Sequence, residues 1–197
     1  MPRPSMNQAP WYARYVVGAE LASLARKLMV RVTHRHTRVE FQGPVHLGPG
    51  FTLWIPEQGQ FIVGENCVFR RGFVCEINGH GRVSIGANTV FTSHALIQCT
   101  TSIEIGESCA LGQALQIADG KHLFKDPSLP TAHQGFDFRP VCIGNGVSIM
   151  SKCTVLSDVG DNSVVGANSV VTSPVPAYSL AVGAPARIVD SWCPETT

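Results

Sequence analysis

Residues 141–172 read VCIGNGVSIMSKCTVLSDVGDNSVVGANSVVT, and the spacing of their aliphatic residues decides the fold. Within each run of three, an aliphatic residue returns every six positions. These residues, each with the one that follows it, are Ile143-Gly144, Ile149-Met150 and Val155-Leu156, then Val159-Gly160, Val165-Gly166 and Val171-Thr172. Self-similarity at a fixed short period indicates a repeat architecture.

The same spacing extends towards the N-terminus, to about residue 60. Two further runs are Ile85-Gly86, Phe91-Thr92 and Ile97-Gln98, then Ile105-Gly106, Leu111-Gly112 and Ile117-Ala118. Small or β-branched residues often stand four positions after the aliphatic one, at Thr89, Ala95, Cys109, Cys153, Ser163 and Ser169. One short strand and one turn fit each unit, so three units close a triangular coil whose aliphatic side chains stack inward. We therefore predict an all-β solenoid of parallel strands, since a sandwich or barrel would show period-two alternation instead.

Two segments interrupt the repeat. Residues 10–33 carry apolar side chains at helical spacing with Arg and Lys between them, which predicts an amphipathic helix. Its apolar positions are Trp11, Tyr15, Leu21, Leu24, Leu28 and Val32. We expect this helix to pack on the coil end or on a neighbouring subunit, and peripheral membrane contact is the less favoured alternative.

The second interruption is a loop over residues 123–141. Long loops inside a compact domain are usually functional or disordered, and this one leaves the coil directly after His122, which favours function. The expected organisation is a helical segment over residues 1–40, a β-helix domain over residues 41–190 and a C-terminal tail over residues 191–197.

Composition narrows the classes of function. The chain has 15 Lys and Arg against 14 Asp and Glu, and its β segments show no basic patch, so we expect no nucleic-acid partner. A signal-peptide pattern and a bilayer-length apolar run are both absent from the sequence, which predicts a cytoplasmic protein. Its seven Cys form no CxxC pair, so we expect buried free thiols and no zinc site or disulfide framework.

Four motifs carry a resemblance. They are IADGKH at residues 117–122, QGFDFRP at 134–140, VGANSVVT at 165–172 and VGAPARIV at 182–189. Together, over about residues 60–190, the chain resembles the hexapeptide-repeat O-acetyltransferases that act on galactosides, maltose and cell-surface polysaccharides. The resemblance implies a left-handed parallel β-helix, a homotrimer, acetyl-CoA as acyl donor and no metal.

His122 and Asp119 are the catalytic residues that the resemblance implies. A hydroxyl group is a poor nucleophile until its proton is removed, and imidazole, with an ordinary pKa of about 6.5, is a suitable base near neutral pH. The hydroxyl would attack the thioester directly, without a covalent enzyme intermediate. Asp119 would orient the imidazole or bind the acceptor.

The resemblance also implies donor contacts, at Ser151, Ala167, Thr172, Ser173 and Arg187. Arg187 would pair with the phosphates of the nucleotide. The chain departs from the family at two positions. It has Val147-Ser148-Ile149-Met150 where the family commonly has Val-Trp-Ile-Gly, and Ser173 where the family commonly has Lys.

Three other functions stay open at this point. N-acetyl transfer to an amino sugar would use the same donor and fold. A non-catalytic trimeric scaffold would not need the Asp119-x-x-His122 arrangement before a long loop. A γ-class carbonic anhydrase would need zinc-binding His on neighbouring coils, for which His80, His94 and His122 are sparse candidates.

Overall fold

A computed structural model describes residues 18–192 of the chain. Its one long helix, α1, spans Gly18–Thr33 and matches the C-terminal part of the predicted helix. Residues 10–17, with Trp11 and Tyr15, lie outside the described residues, and so do residues 193–197 with Cys193. Among the described residues, no helix is long and apolar enough to cross a membrane.

Three β-sheets form the main body of the protein. The first contains β1 (Arg38–Phe41), β4 (Gln60–Val63), β7 (Arg82–Ile85), β10 (Ser102–Ile105) and β15 (Val141–Ile143). The second contains β2 (Val45–Leu47), β5 (Cys67–Phe69), β8 (Val90–Phe91), β11 (Ala110–Leu111), β16 (Ser148–Ile149), β18 (Val164–Val165), β20 (Ser179–Gly183) and β21 (Ala186–Ser191). The third contains β3 (Thr52–Trp54), β6 (Val74–Ile77), β9 (Leu96–Cys99), β12 (Gln116–Ala118), β17 (Thr154–Val155) and β19 (Val170–Val171).

Apart from the insertion, strands visit the first, second and third sheets in rotation as far as β17, so the chain winds as a coil. Beyond β17 the first side continues only as single bridges at Val159 and Val175. Neighbouring strands within each sheet run parallel, and the repeat positions pair with one another, as Ile85 does with Ile105. Only β21 departs from this, because it pairs antiparallel with β20 at the end of the second sheet. The predicted stack of parallel strands is therefore confirmed.

The interior of the coil holds the residues that the repeat predicted. The repeat aliphatics from Ile85 to Val171 are buried, and so are the small residues four positions later. Thr89 shows how a polar residue is accommodated there: its hydroxyl donates to the Gly106 carbonyl at 2.9 Å and accepts from the Cys109 N–H at 3.1 Å. Buried polar groups with both partners satisfied cost little stability.

The described cysteines are all free thiols. Five are buried and one, Cys142, is exposed; the buried ones are Cys67, Cys75, Cys99, Cys109 and Cys153. Burial, with a further contribution from the Asp119 carboxylate, raises the pKa of the Cys99 thiol to about 12. The five buried thiols act as small apolar core residues, as expected, whereas the exposed Cys142 departs from that expectation.

The insertion begins earlier than the sequence predicted. Its first residues pair as an antiparallel ribbon of β13 (Gly120–His122) and β14 (Phe136–Phe138), with a short 3-10 turn at Thr131–His133 between them. This turn of the coil therefore ends at Ala118, and His122 lies on the hairpin rather than at the end of the turn; the coil resumes at Val141. Side-chain pattern alone could not show this, because a three-residue strand has too few residues to display its alternation.

Candidate active site

The hairpin presents two faces with different chemistry. In its register Gly120 lies opposite Phe138, Lys121 opposite Asp137 and His122 opposite Phe136. Because side chains alternate between the faces of a strand, His122 and the two Phe share one face, and Lys121 and Asp137 share the other.

Aromatic rings form the face that carries His122. The imidazole lies 4.1 Å from the Phe136 ring, centroid to centroid, and the Phe136 and Phe138 rings stack at 5.4 Å. A Cβ atom at Gly120 would come within 2.6 Å of the Phe138 ring, so Gly is needed for this close packing. Phe136 and Phe138 nevertheless keep 49% and 40% of their surface exposed, which leaves an apolar shelf beside the imidazole.

Ion pairs hold the opposite face together. The Asp137 carboxylate lies 3.3 Å from both the Lys121 ammonium and the Arg139 guanidinium. Desolvation acts to raise the pKa of Asp137, but hydrogen bonds and charges from Lys121 and Arg139 outweigh it and lower the pKa. Asp137 is therefore ionised near neutral pH and ties both sides of the hairpin root.

The loop beyond the ribbon is ordered by the side chain of Gln134. Its amide oxygen accepts from the Asp126 N–H at 2.9 Å, and its amide nitrogen donates to the Asp126 and Leu129 carbonyls at 2.8 Å. Asp126 in turn accepts from the Ser128 N–H and hydroxyl, which lower its pKa. These bonds close the loop on itself between Asp126 and Gln134.

A pocket of about 720 Å³ lies within this folded loop. His122 and His133 both line it, together with Lys121, Leu123, Phe124, Lys125, Asp126, Leu129, Gln134, Asp137 and Arg139. His122 is exposed, and neither of its ring nitrogens has a hydrogen-bond partner among the described residues. A smaller pocket of about 390 Å³ lies on the aromatic side and is lined by Asn78, Gln98, Thr100, Ala118, Asp119, Gly120, Phe136 and Phe138.

Asp119 is bonded to the coil rather than to His122. The residue is only 4% exposed, and its carboxylate accepts from the Thr100 N–H, the Thr101 N–H and the Thr101 hydroxyl at 2.6–3.0 Å. Its backbone carbonyl accepts from the Arg139 N–H at 2.7 Å, where the insertion returns to the coil. Asp119 therefore anchors the root of the hairpin to the preceding turn of the coil, and the structure gives it no hydrogen bond to the imidazole.

Three of the five expected donor residues follow one edge of the coil. Ser151 comes after β16, and its carbonyl accepts from the Asn168 N–H at 3.0 Å, next to Ala167 on the following turn. On the last turn, Arg187 pairs with Val182 across the antiparallel β20–β21 ribbon. All three side chains are exposed along the boundary between the second and third sheets.

Thr172 and Ser173 lie apart from that edge. Both residues are exposed and follow β19, so they belong to the boundary between the third sheet and the first. The third sheet separates them from Ser151 and Ala167. The structure therefore brings three expected donor residues together and leaves two at the opposite side of that sheet.

The donor edge also includes features that the sequence analysis missed. Lys152 directly follows Ser151 and is exposed in the same turn, so adjacency to a matched position was the available signal. Beside it lies an apolar groove of about 220 Å³, lined by Val90, Thr92, Ala110, Leu111, Gly112, Ser148, Ile149, Met150 and Ser151. Met150 is 46% exposed in this groove, where the family commonly has Gly.

The carbonic anhydrase alternative requires several metal-binding side chains to meet at one place. Across residues 18–192, no three His, Cys, Asp or Glu side chains come together in a group that could hold a metal ion. His80, His94 and His122 are thus not assembled into one centre.

Relatives are found by sequence, although no protein-family model matches the chain. A Mycobacterium tuberculosis protein named a probable acetyltransferase is 32% identical over 184 residues, which cover 91% of this chain and 57% of the relative. This chain thus spans little more than half the length of that relative. WbbJ of Escherichia coli, whose name assigns it to O-acetyl transfer in lipopolysaccharide biosynthesis, is 28% identical over 86% of both chains.

A solved structure gives the same result. The hexapeptide-repeat-containing acetyltransferase of Vibrio cholerae, complexed with acetyl coenzyme A, superposes with a TM-score of 0.56 and 25% identity. The superposition covers 77% of this chain and 70% of the Vibrio chain. In sequence and in fold, the chain is therefore similar to the hexapeptide-repeat acetyltransferases, which confirms the resemblance drawn from its repeats and motifs.

Proposed function

We propose that the chain is an acetyltransferase that moves the acetyl group of acetyl-CoA to a hydroxyl of a saccharide or natural product, with His122 as general base. One observation carries the proposal: an exposed imidazole, with both ring nitrogens available among the described residues, stands at a pocket of about 720 Å³ in a hairpin expelled from the coil. The acetyltransferase names of the relatives support the reaction, and the acetyl-CoA complex of the Vibrio protein supports the donor.

The chemistry requires one proton carrier. A neutral nitrogen of His122 would take the hydroxyl proton as the acceptor oxygen attacks the thioester carbonyl. The carbon–sulfur bond of the resulting tetrahedral intermediate would then break, and the imidazolium would return the proton to the departing thiolate. Acetyl ester and free CoA are the products, and the enzyme ends in its starting state.

The donor would lie along the edge that carries Ser151, Ala167 and Arg187. Small exposed side chains at the first two positions leave room for an extended pantetheine arm. The apolar groove beside Met150 would pack against that arm. Arg187 and Lys152 are exposed cations, so they would bind the phosphate groups of the donor. Thr172 and Ser173 would contact the donor only where it crosses the third sheet.

A hydroxyl acceptor fits the hairpin's aromatic face. Phe136 and Phe138 form a flat apolar shelf next to the imidazole and line the pocket of about 390 Å³ together with Asn78 and Gln98. His122 does not line that pocket and reaches its edge through its contact with the Phe136 ring. Ligand sites commonly combine apolar walls with a few orienting polar groups. A sugar matches such a site, because its ring has an apolar face and its hydroxyls are polar. The O-acetyl transfer in the name of WbbJ supports oxygen over nitrogen as the acceptor atom.

We further propose that the coil is left-handed and that three copies assemble as a homotrimer. A donor that lies on an open edge needs a second wall, which a neighbouring copy of the chain would supply. Light scattering at micromolar concentration is expected to give the mass of a trimer. A fully active monomer would contradict this part of the proposal.

The central test is substitution of His122 by Ala. We expect acetyl transfer to fall by about 10²–10⁴-fold, the usual contribution of a general base, with folding intact. His133→Ala, in the same pocket, is the matched control and should retain most of the activity. The assay follows release of free CoA thiol with a panel of saccharides and amino sugars as acceptors.

Each alternative has its own outcome. Near-normal turnover in folded His122→Ala would remove the general-base assignment. Turnover with amino sugars alone, yielding an amide, would identify N-acetyl transfer. No thiol release with any acceptor, from a protein that binds no acetyl-CoA, would leave the scaffold alternative.

A further inference from the structure

Helix α1 is docked by its polar side. The Ser23 hydroxyl accepts from the Leu47 N–H at 2.8 Å, and the Arg26 guanidinium donates to the Leu47 carbonyl at 2.8 Å. Ser23 and Val30 are the buried residues of this helix. Its anchoring surface therefore contains polar groups that satisfy the open backbone of β2.

The opposite side of α1 is apolar and open to solvent. Its exposed stripe is Leu21, Leu24, Leu28, Met29 and Val32, each between 55% and 65% exposed. A surface helix normally turns its apolar stripe towards the core and its polar side outward, so this helix is reversed. Five large apolar side chains in one contiguous stripe are more than a monomer usually exposes without purpose.

The direction of the stripe follows from the contacts of the helix. Beyond the bonds to Leu47, Glu20 lies 3.6 Å from His46, and Arg31 lies over the Phe41 ring at 5.8 Å. All these partners belong to the first turn of the coil, whose outer edge has no earlier strand to pair with among the described residues. The helix therefore covers the end of the coil, and its exposed stripe points away from the coil body.

The N-terminal end of the described chain carries more positive charge than the rest. Of the 15 Lys and Arg in the sequence, five fall within residues 18–38, together with only one of the 14 acidic residues. Two of these five, Arg26 and Arg38, already have partners within the protein. Arg31 and Arg35 are exposed at the C-terminal end of the stripe. An apolar stripe bordered by cations is the arrangement that binds the interface of an anionic bilayer.

We infer that the exposed stripe of α1 docks the protein on an anionic lipid surface. Leu24, Leu28 and their neighbours would enter the boundary between headgroups and acyl chains, and Arg35 would lie at the level of the lipid phosphates. Arg31, which is exposed but also contacts Phe41, would lie at the border between the lipid and the coil. The hairpin with His122 leaves the coil well beyond this first turn. The active site would therefore remain accessible to substrates while the first turn of the coil is bound to the membrane.

The experiment is co-sedimentation of the full chain with vesicles of phosphatidylcholine, with and without phosphatidylglycerol. We expect binding to the anionic vesicles that weakens as salt is raised. Leu24→Glu with Leu28→Glu should lower the partition coefficient about tenfold or more, since each Leu loses its apolar burial. Arg31→Gln with Arg35→Gln should lower it several-fold on anionic vesicles and leave the weak binding to neutral vesicles unchanged.

Val189→Glu is the matched control, because Val189 is 58% exposed on β21 at the far end of the coil. It should bind as the unmodified chain does, and acetyl transfer to a soluble acceptor should be unaffected in all of these variants. Absence of vesicle binding by the full chain would overturn the inference. A drop in oligomer mass without vesicles, caused by the Leu24 and Leu28 changes, would also overturn it, because the stripe would then be an interface between copies.

Discussion

Phe69 and Phe138 are the same residue type in opposite environments. Phe69 lies in the coil with no exposed surface and packs on Phe73 at 4.6 Å and Phe91 at 5.1 Å. Phe138 lies in the hairpin, 40% exposed, and stacks on Phe136. The coil buries its apolar residues against neighbouring turns, whereas the hairpin leaves them available.

The difference teaches where stability and chemistry are located. Each turn of the coil is held by parallel strand pairing and by an inward stack of side chains, so its free energy depends on packing. The hairpin is held mainly by a few polar ties, through Asp119, Asp137 and Gln134. An exposed loop positioned by a rigid scaffold is where binding and catalytic groups are usually found.

The largest expected effect is on the stability of the coil. Phe69→Ala should lower the free energy of unfolding by about 3–5 kcal/mol, because it removes a fully buried ring and leaves a cavity. Phe138→Ala is the matched control and should change stability far less while weakening acceptor binding. Denaturant unfolding monitored by circular dichroism measures both variants, and equal losses would show that coil and hairpin are not energetically distinct.

A smaller effect is expected at the joint between the two regions. Asp119→Ala leaves the N–H groups of Thr100 and Thr101 without their acceptor, which should cost about 1–3 kcal/mol of unfolding free energy. Asp126→Ala, in the loop tip, is the control and should cost less. Because the carboxylate bonds to the coil, the pH dependence of kcat/KM should keep its shape in folded Asp119→Ala.

A shifted limb in that pH profile would contradict this assignment. It would mean that Asp119 reaches the imidazole of His122 during turnover, which is the role that the family resemblance implied. Thermal unfolding and the pH profile together therefore distinguish an anchor of the hairpin from a partner of the base.

The smallest expected effect concerns the donor edge. Arg187→Ala should raise the KM for acetyl-CoA several-fold with little change in kcat, the pattern of lost uniform binding. The contact is exposed, so the difference should shrink as salt is raised. Ser173→Lys is the companion variant and should lower KM if the donor reaches the opposite side of the third sheet.

A structural role for Arg187 predicts another result. Its guanidinium donates to the Ala186 carbonyl at 2.9 Å, and within residues 18–192 it forms no ion pair with Asp190. A fall in melting temperature with an unchanged KM would require its donor assignment to be withdrawn.

Much of the fold was readable from the sequence. Ile85, Leu111, Ile117 and Val165 each belong to a run of three aliphatic residues spaced six positions apart, a period that indicates a repeated short strand and turn, and all four are buried as expected. The resemblance to hexapeptide-repeat acetyltransferases followed from motifs that are local in sequence. Residues such as His122 and Ser151 could be matched for that reason, while their catalytic and donor roles, the trimer and the cytoplasmic location stay predictions.

The sequence by itself determined the coil, because a six-residue period repeats the same local requirement on every turn and neighbouring turns satisfy it. Only the tertiary structure decided which groups meet across the chain. It paired Gly120–His122 with Phe136–Phe138 and bonded the Asp119 carboxylate to Thr100 and Thr101. It also placed Thr172 and Ser173 on the opposite side of the third sheet from Ser151. Contacts of this kind depend on backbone groups and on the path of the insertion, and neither leaves a periodic signal in the sequence.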